Sequence, residues 1–177
     1  MVKRIAVIGP QASGKSSLVS RYVRKRFSES YCSTCMSDTI EDADNNVLWD
    51  TPGNSRWALE VSEAVRLCKG IILCFCPSQP DSFTNALAMV QTGKPIVFAA
   101  TKADIEPFHI RDEWSEEARR RNAKIIRTSS ATGVGVSQAF KEIFELVEDE
   151  EIVLTSLEYT TQQLGSCINY SVEHIYS

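Results

Sequence analysis

Histidine is nearly missing from this chain of 177 residues: there are two, His109 and His174, and neither has a recognisable partner. Both read as surface residues. Cys32-Ser33-Thr34-Cys35 forms a C-x-x-C, but no second pair stands at a spacing that would complete a zinc site. Two accessible thiols on a loop are the plain reading of that pair, and a redox couple is the sharper one. No apolar run is long enough to cross a bilayer. Met1-Val2-Lys3-Arg4-Ile5 passes directly into a strand pattern, so no secretory leader is expected. The six cysteines are therefore expected as mostly free thiols in a reducing compartment, cytoplasmic or peripheral to a membrane. A basic excess is also lacking, with 19 Lys and Arg against 23 Asp and Glu and a net charge of −4, which argues against nucleic acid as a partner. Arg119-Arg120-Arg121 and Glu148-Asp149-Glu150-Glu151 are the only charge runs, and both fit solvated faces. Repeats and low-complexity stretches are absent, which sets aside solenoids and arrays.

What remains is the length and composition of one soluble α/β domain. Ile5-Ala6-Val7-Ile8, Val47-Leu48-Trp49, Ile71 to Cys76, Ile96 to Ala100 and Ile125-Ile126 read as short buried strands. Between them lie helical patterns over 15–26, 56–68, 82–91, 115–122 and 136–147, the fourth with Ser115 as its cap and Glu116 and Glu117 in its first turn. Residues 35–46 suggest an edge strand running antiparallel into the 47–50 strand. The pattern predicts a three-layer α/β fold, a mostly parallel sheet with one antiparallel edge strand and helices on both faces. The domain is expected over 1–150, with a tail over 151–177 whose structure the pattern does not define. Cys74 and Cys76 alternate onto one strand face and read as small core residues.

The residues of chemical interest fall at the carboxyl ends of the strands, where ligands bind in such sheets. Gly9-Pro10-Gln11-Ala12-Ser13-Gly14-Lys15-Ser16 matches G-x-x-x-x-G-K-[ST] between a strand and a helix. Its backbone N–H groups would cradle phosphates, Lys15 would add a point charge, and the Ser16 hydroxyl could ligate Mg²⁺. Asp50-Thr51-Pro52-Gly53 supplies a carboxylate that can hold a Mg²⁺-bound water, and a Gly53 N–H for a terminal phosphate. Alone D-x-x-G is weak; after a phosphate loop it gains weight. Thr101-Lys102-Ala103-Asp104 places a carboxylate that would accept from the two donors of a guanine edge and select against adenine. The Lys102 stem can lie over the base, and a backbone N–H of Thr128-Ser129-Ser130 can meet the guanine oxygen.

With these motifs in register across roughly 3–147, the chain resembles the Ras superfamily of small GTPases, nearest its Rab and Ras branches. The resemblance implies a site for GTP or GDP with Mg²⁺. Phe27, 12 residues after Lys15, stands where the family keeps its guanine-stacking aromatic, and Tyr31 and Thr34 follow in the family's F-x-x-x-Y-x-x-T pattern. Thr34 is thereby implied as a switch residue on Mg²⁺ and the γ-phosphate. Trp49-Asp50-Thr51-Pro52-Gly53 looks like the Rab-type W-D-T-A-G. Gly70 through Phe83 is similar to the family's strand and following segment, and Thr132 to Phe140 looks like T-G-x-N-V-x-x-A-F. The implied nucleotide contacts are Gln11, Ala12, Ser13, Gly14, Lys15, Ser16 and Ser17 in the loop. To these the resemblance adds Phe27, Tyr31, Thr34, Gly53, Thr101, Lys102, Asp104, Ser129, Ser130 and Ala131. The implied metal set is Ser16, Thr34 and Asp50, and Asn54, Gln11 and Gly53 flank the reacting end. Effectors and regulators would engage Tyr31, Thr34 and an exposed Trp57.

Departures from the family bear on rate and anchoring. Gln11 stands where these branches keep a small residue, Pro52 replaces Ala, and Asn54 replaces the glutamine that orients the attacking water. Ser129-Ser130-Ala131 replaces S-A-K, so a lysine contact to the base is lost. The hairpin after Thr34 and the third helix are shorter than usual. Cys167 is not at the C-terminus, so the prenylation motif is absent from this sequence. The leading expectation is a molecular switch that hydrolyses GTP slowly, in vesicle trafficking or signalling. A pseudo-GTPase scaffold with little hydrolysis is the alternative. A small-molecule P-loop kinase does not explain Phe27, Thr34 and Asp104 together.

Overall fold

The computed structural model describes residues 2–30, 33–34, 36–79, 81–90 and 92–147. Tyr31, Cys32, Cys35, His174 and the tail expected over 151–177 lie outside the described residues. Six strands form one sheet in the order β2-β3-β1-β4-β5-β6: β1 Arg4–Ile8, β2 Asp38–Glu41, β3 Val47–Asp50, β4 Gly70–Phe75, β5 Ile96–Ala100 and β6 Ile125–Arg127. Only the β2–β3 pair is antiparallel, with Asp38 opposite Asp50 and Thr39 opposite Trp49. The α/β class and the single antiparallel edge strand agree with the sequence reading.

Parallel strands covered on both faces read as unbroken apolar runs, and every residue of β4 and β5 is buried. Successive side chains point to opposite faces, which splits β1 between two cores. Ala6 and Ile8 join Phe75, Phe83, Phe98 and Trp114 under α2 (Ala58–Leu67), α3 (Ser82–Ala88) and α4 (Asp112–Arg120). Ile5 and Val7 join Leu18, Val19, Phe140 and Ile143 under α1 (Lys15–Arg24) and α5 (Val136–Leu146). Tyr22 of α1 stacks on Phe140 of α5 with centroids 3.9 Å apart, fixing those two helices side by side. Val7 pairs with Asp50 on one side and Ile72 on the other. The chain leaves β1 where the strand order reverses, so the loop of residues 9–14 opens onto that crevice.

Three local expectations are corrected. α4 begins at Asp112, not Ser115; Asp112 and Glu113 supply the acidic first turn, and the Ser115 hydroxyl instead donates back to the Arg111 carbonyl at 3.4 Å. The segment expected as one helix over 56–68 starts as a 3-10 turn, Ser55–Trp57, capped by the Asn54 side chain, before α2. α3 stops at Ala88, short of the 91 expected. Among the described residues no helix is long and apolar enough to cross a membrane.

Candidate functional site

At the carboxyl ends of β1, β3, β5 and β6 lies a cavity of about 480 Å³, within the range of a small-molecule site. One end is made by Gln11, Ala12, Gly14, Lys15, Ser16 and Ser17, the other by Thr101, Lys102, Asp104, Ser130 and Ala131. Phe27, 41% exposed, stands at its wall, and Thr34 and Gly53 line its mouth. These are the residues the motifs singled out. Four of the expected set sit elsewhere. Ser13 and Ser129 are buried behind the lining, and Asp50 is buried beneath Ser16. Asn54 faces a neighbouring groove against Ala58, Asn85 and Met89, and Tyr31 is not among the described residues. The motifs missed Ile105, Arg26 and the run Ser28-Glu29-Ser30, which also line the cavity. Small polar residues on a loop carry no spacing that would have marked them.

The phosphate-loop end is a cluster of desolvated charge. The Lys15 ammonium donates to the carbonyls of Gly9 and Pro10, each at 2.9 Å. Burial lowers the Lys15 pKa, against the pull of the nearby Asp50 carboxylate. Burial likewise raises Asp50, although the Ser16 hydroxyl donates to its carboxylate and Lys15 is near. Ser16 Oγ lies 3.0 Å from Thr34 Oγ1. A hydroxyl that donates to Asp50 can only accept from Thr34, so the proton order runs Thr34, Ser16, Asp50. Asp50 Oδ1 and Ser13 Oγ are buried with no partner. A buried carboxylate oxygen without a donor is costly, and a hard cation satisfies it. Two hydroxyls and one carboxylate, completed by waters and phosphate oxygens, are the usual protein share of a Mg²⁺ site. The donor set therefore fits that ion, even though no group of three or more His, Cys, Asp or Glu side chains gathers among the described residues.

Gly53 is packed against the loop backbone. A Cβ there would stand 2.5 Å from the Gln11 nitrogen and 2.6 Å from the Pro10 carbonyl carbon, so no side chain fits. Thr101 ties the two ends together, its hydroxyl sharing one proton between the Ser13 carbonyl at 2.7 Å and the Phe75 carbonyl at 2.9 Å. Ala103 N–H donates to the Thr128 carbonyl, setting the two base-side loops against each other.

The segments on either side of the mouth are joined as well. The Glu60 carboxylate of α2 accepts from Ser37 N–H at 3.0 Å and from the Ser37 hydroxyl at 3.3 Å. Trp57 is half-buried, with Nε1 enclosed and Arg56 over its ring at 5.2 Å, rather than exposed as expected. The large apolar residue this segment exposes is Leu59, 87% accessible. His109 is exposed, as expected, and the buried Cys74 is pushed up to about 12 by desolvation, so it stays a thiol.

The model of the Ras family matches residues 4–149. The Ras-related protein SEC4 of Candida albicans is 24% identical over 168 residues, covering 86% of this chain and 80% of that one. The Ras-related protein RHN1 of Nicotiana plumbaginifolia is 32% identical over 160 residues, covering 79% and 78%. The Ras-related protein Rab-7b of Mus musculus is 27% identical over 159 residues, covering 78% of each. With a family model spanning the whole sheet and the cavity between its loops, the chain belongs to the Ras family of small GTPases.

Proposed function

We propose that this protein binds GTP and GDP with Mg²⁺ in the 480 Å³ cavity, hydrolyses GTP slowly, and acts as a switch in vesicle trafficking, as its similarity to Rab-type relatives suggests. The observation that carries the reading is the pairing of opposite ends in one cavity. Lys15 and Ser16 stand at one end, with the Asp104 carboxylate at the other. Lys15 answers phosphate charge, and the Gly53 N–H is held at the mouth by its packing on Gln11. Asp104 accepts from the guanine edge, the Lys102 stem and Phe27 flank the base, and Ser130 and Ala131 close its far side. Mg²⁺ on Ser16, Thr34 and Asp50 would offset charge gathering on the phosphates.

Slow turnover follows from where Asn54 is. Its Oδ1 accepts the Arg56 N–H at 3.0 Å, capping the 3-10 turn. To orient a water it must leave that cap, at a cost of about 1 kcal/mol, and its reach is one methylene shorter than that of glutamine. Gln11 adds bulk at the same mouth. The copurifying nucleotide, released by denaturation and identified by chromatography, tests the reading. Guanine nucleotide is the expected result, and adenine nucleotide overturns it.

A further inference from the structure

The wall of the cavity nearest the base has a gap in its chemistry. Ala131 lines it without a side chain that could reach a ligand, and Phe27 faces it across the cavity, 41% exposed. Two loops far apart in sequence form this wall, and among the described residues the side chains of each hydrogen-bond within their own loop rather than to the other. Arg21, behind both, bonds to each. One guanidinium nitrogen donates to the Ala131 carbonyl at 3.1 Å, and another donates to the Lys25 carbonyl at 3.2 Å. Lys25 is the left-handed residue, φ 55°, that ends α1 two positions before Phe27.

The loop is shaped to receive this group. Gly133 has φ +88°, and a Cβ there would stand 3.3 Å from Arg21 Nε and from its terminal nitrogen. A side chain at 133 would therefore be strained by its backbone and would crowd the guanidinium. Thr132 and Gly133 N–H groups turn back onto Ser129, folding the loop so that the Ala131 carbonyl points out of the cavity toward α1. Arginine suits the task because its planar fork presents several donors at fixed angles, and it stays charged.

From this geometry we infer that Arg21 is a positioning residue that sets how long the nucleotide base is held, by bracing the Phe27 wall and the 130–133 loop against each other from outside the cavity. It touches no ligand atom. The inference rests on the guanine-nucleotide reading of the cavity. Without the brace, each loop can move outward independently, and the base leaves before the phosphate end lets go.

The test uses the full chain loaded with a fluorescent GDP analogue and chased with excess GDP. Arg21→Met keeps the stem and removes both donors; release is expected to accelerate by on the order of tenfold, the loss of a charged hydrogen bond. Arg21→Lys, which can reach one carbonyl but not both, is expected to fall between, and it decides the matter if the Met variant does not fold. Hydrogen exchange on the loaded protein separates bracing from general weakening. Protection is expected to fall at 25–28 and 130–134 together while the amides of 10–16 keep theirs. Release unchanged in both variants, or exchange raised equally across the chain, overturns the inference. A wild-type chain that takes up no guanine nucleotide overturns the function on which it rests, whereas uptake with unaltered release overturns the brace alone.

Discussion

Asp104 stands in the cavity wall, and on the proposed reading base choice turns on its carboxylate. Asp104→Ala is expected to weaken GDP binding by about 2–4 kcal/mol, the cost of taking one partner from a charged hydrogen-bonded pair. Titration calorimetry reads that loss, and equal wild-type affinity for ATP and GTP would sink the assignment. At the other end, the slow rate proposed above rests on two side chains, Gln11 and Asn54, that would crowd or miss the reacting position. Small GTPases with a full complement cleave GTP at on the order of 10⁻⁴ s⁻¹ unaided, so this chain is expected below that. Asn54→Gln with Gln11→Gly is expected to raise single-turnover cleavage by roughly ten- to a hundredfold, since misplacement of an orienting group costs about that much. A wild-type rate at the ordinary intrinsic value would mean that another group positions the water. The structure adds a reason the sequence could not supply: the Asn54 amide is already engaged with Arg56.

α2 owes its C-terminal end to a residue from another part of the chain. Lys94 donates to the carbonyls of Val65 at 2.5 Å, Arg66 at 2.9 Å and Cys68 at 2.6 Å, a cation at the negative end of a helix. Lys94→Met is expected to lower stability by about 1–3 kcal/mol, read by urea denaturation, and to raise hydrogen exchange in α2 first. No change in either measurement would refute the cap. Nothing in the sequence marks this contact, because long-range capping leaves no spacing. By contrast β1, β4 and β5 were legible because strands buried on both faces must be apolar throughout. The start of α4 is ambiguous in the sequence because two acidic pairs, Asp112-Glu113 and Glu116-Glu117, offer equal first-turn signals. Buried Trp114 decides for the earlier one. The phosphate loop, D-x-x-G and T-K-A-D could be read because chemistry fixes their residue types. Ser28, Ser30 and Ile105 contribute little beyond surface, and Arg21 works through carbonyls that any sequence would have.

For the molecule as a whole, folding strains against its own site. Burial raises the Asp50 pKa above its ordinary 3.8, so the ionised form is the costly one in the folded chain. The stability linked to this group is present below the unfolded value and is lost as pH rises through the folded one. Asp50→Asn is therefore expected to stabilise the nucleotide-free protein at pH 7, with the advantage fading as pH falls toward 4. Thermal midpoints of the two chains across that range check the sign, and an advantage that grows on acidification contradicts it. On the proposed reading GDP with Mg²⁺ would supply the missing partners, and at a thousand times Kd it would add about 4 kcal/mol. The Glu60 carboxylate carries a different consequence. Because it holds Ser37 by both backbone and side chain, it ties the residue leading into β2 to α2, across the mouth. A protein that gripped only the outer surface of α2 near Leu59 would thus still feel whether the stretch beside the phosphates was seated, reading news of the ligand without coming near it.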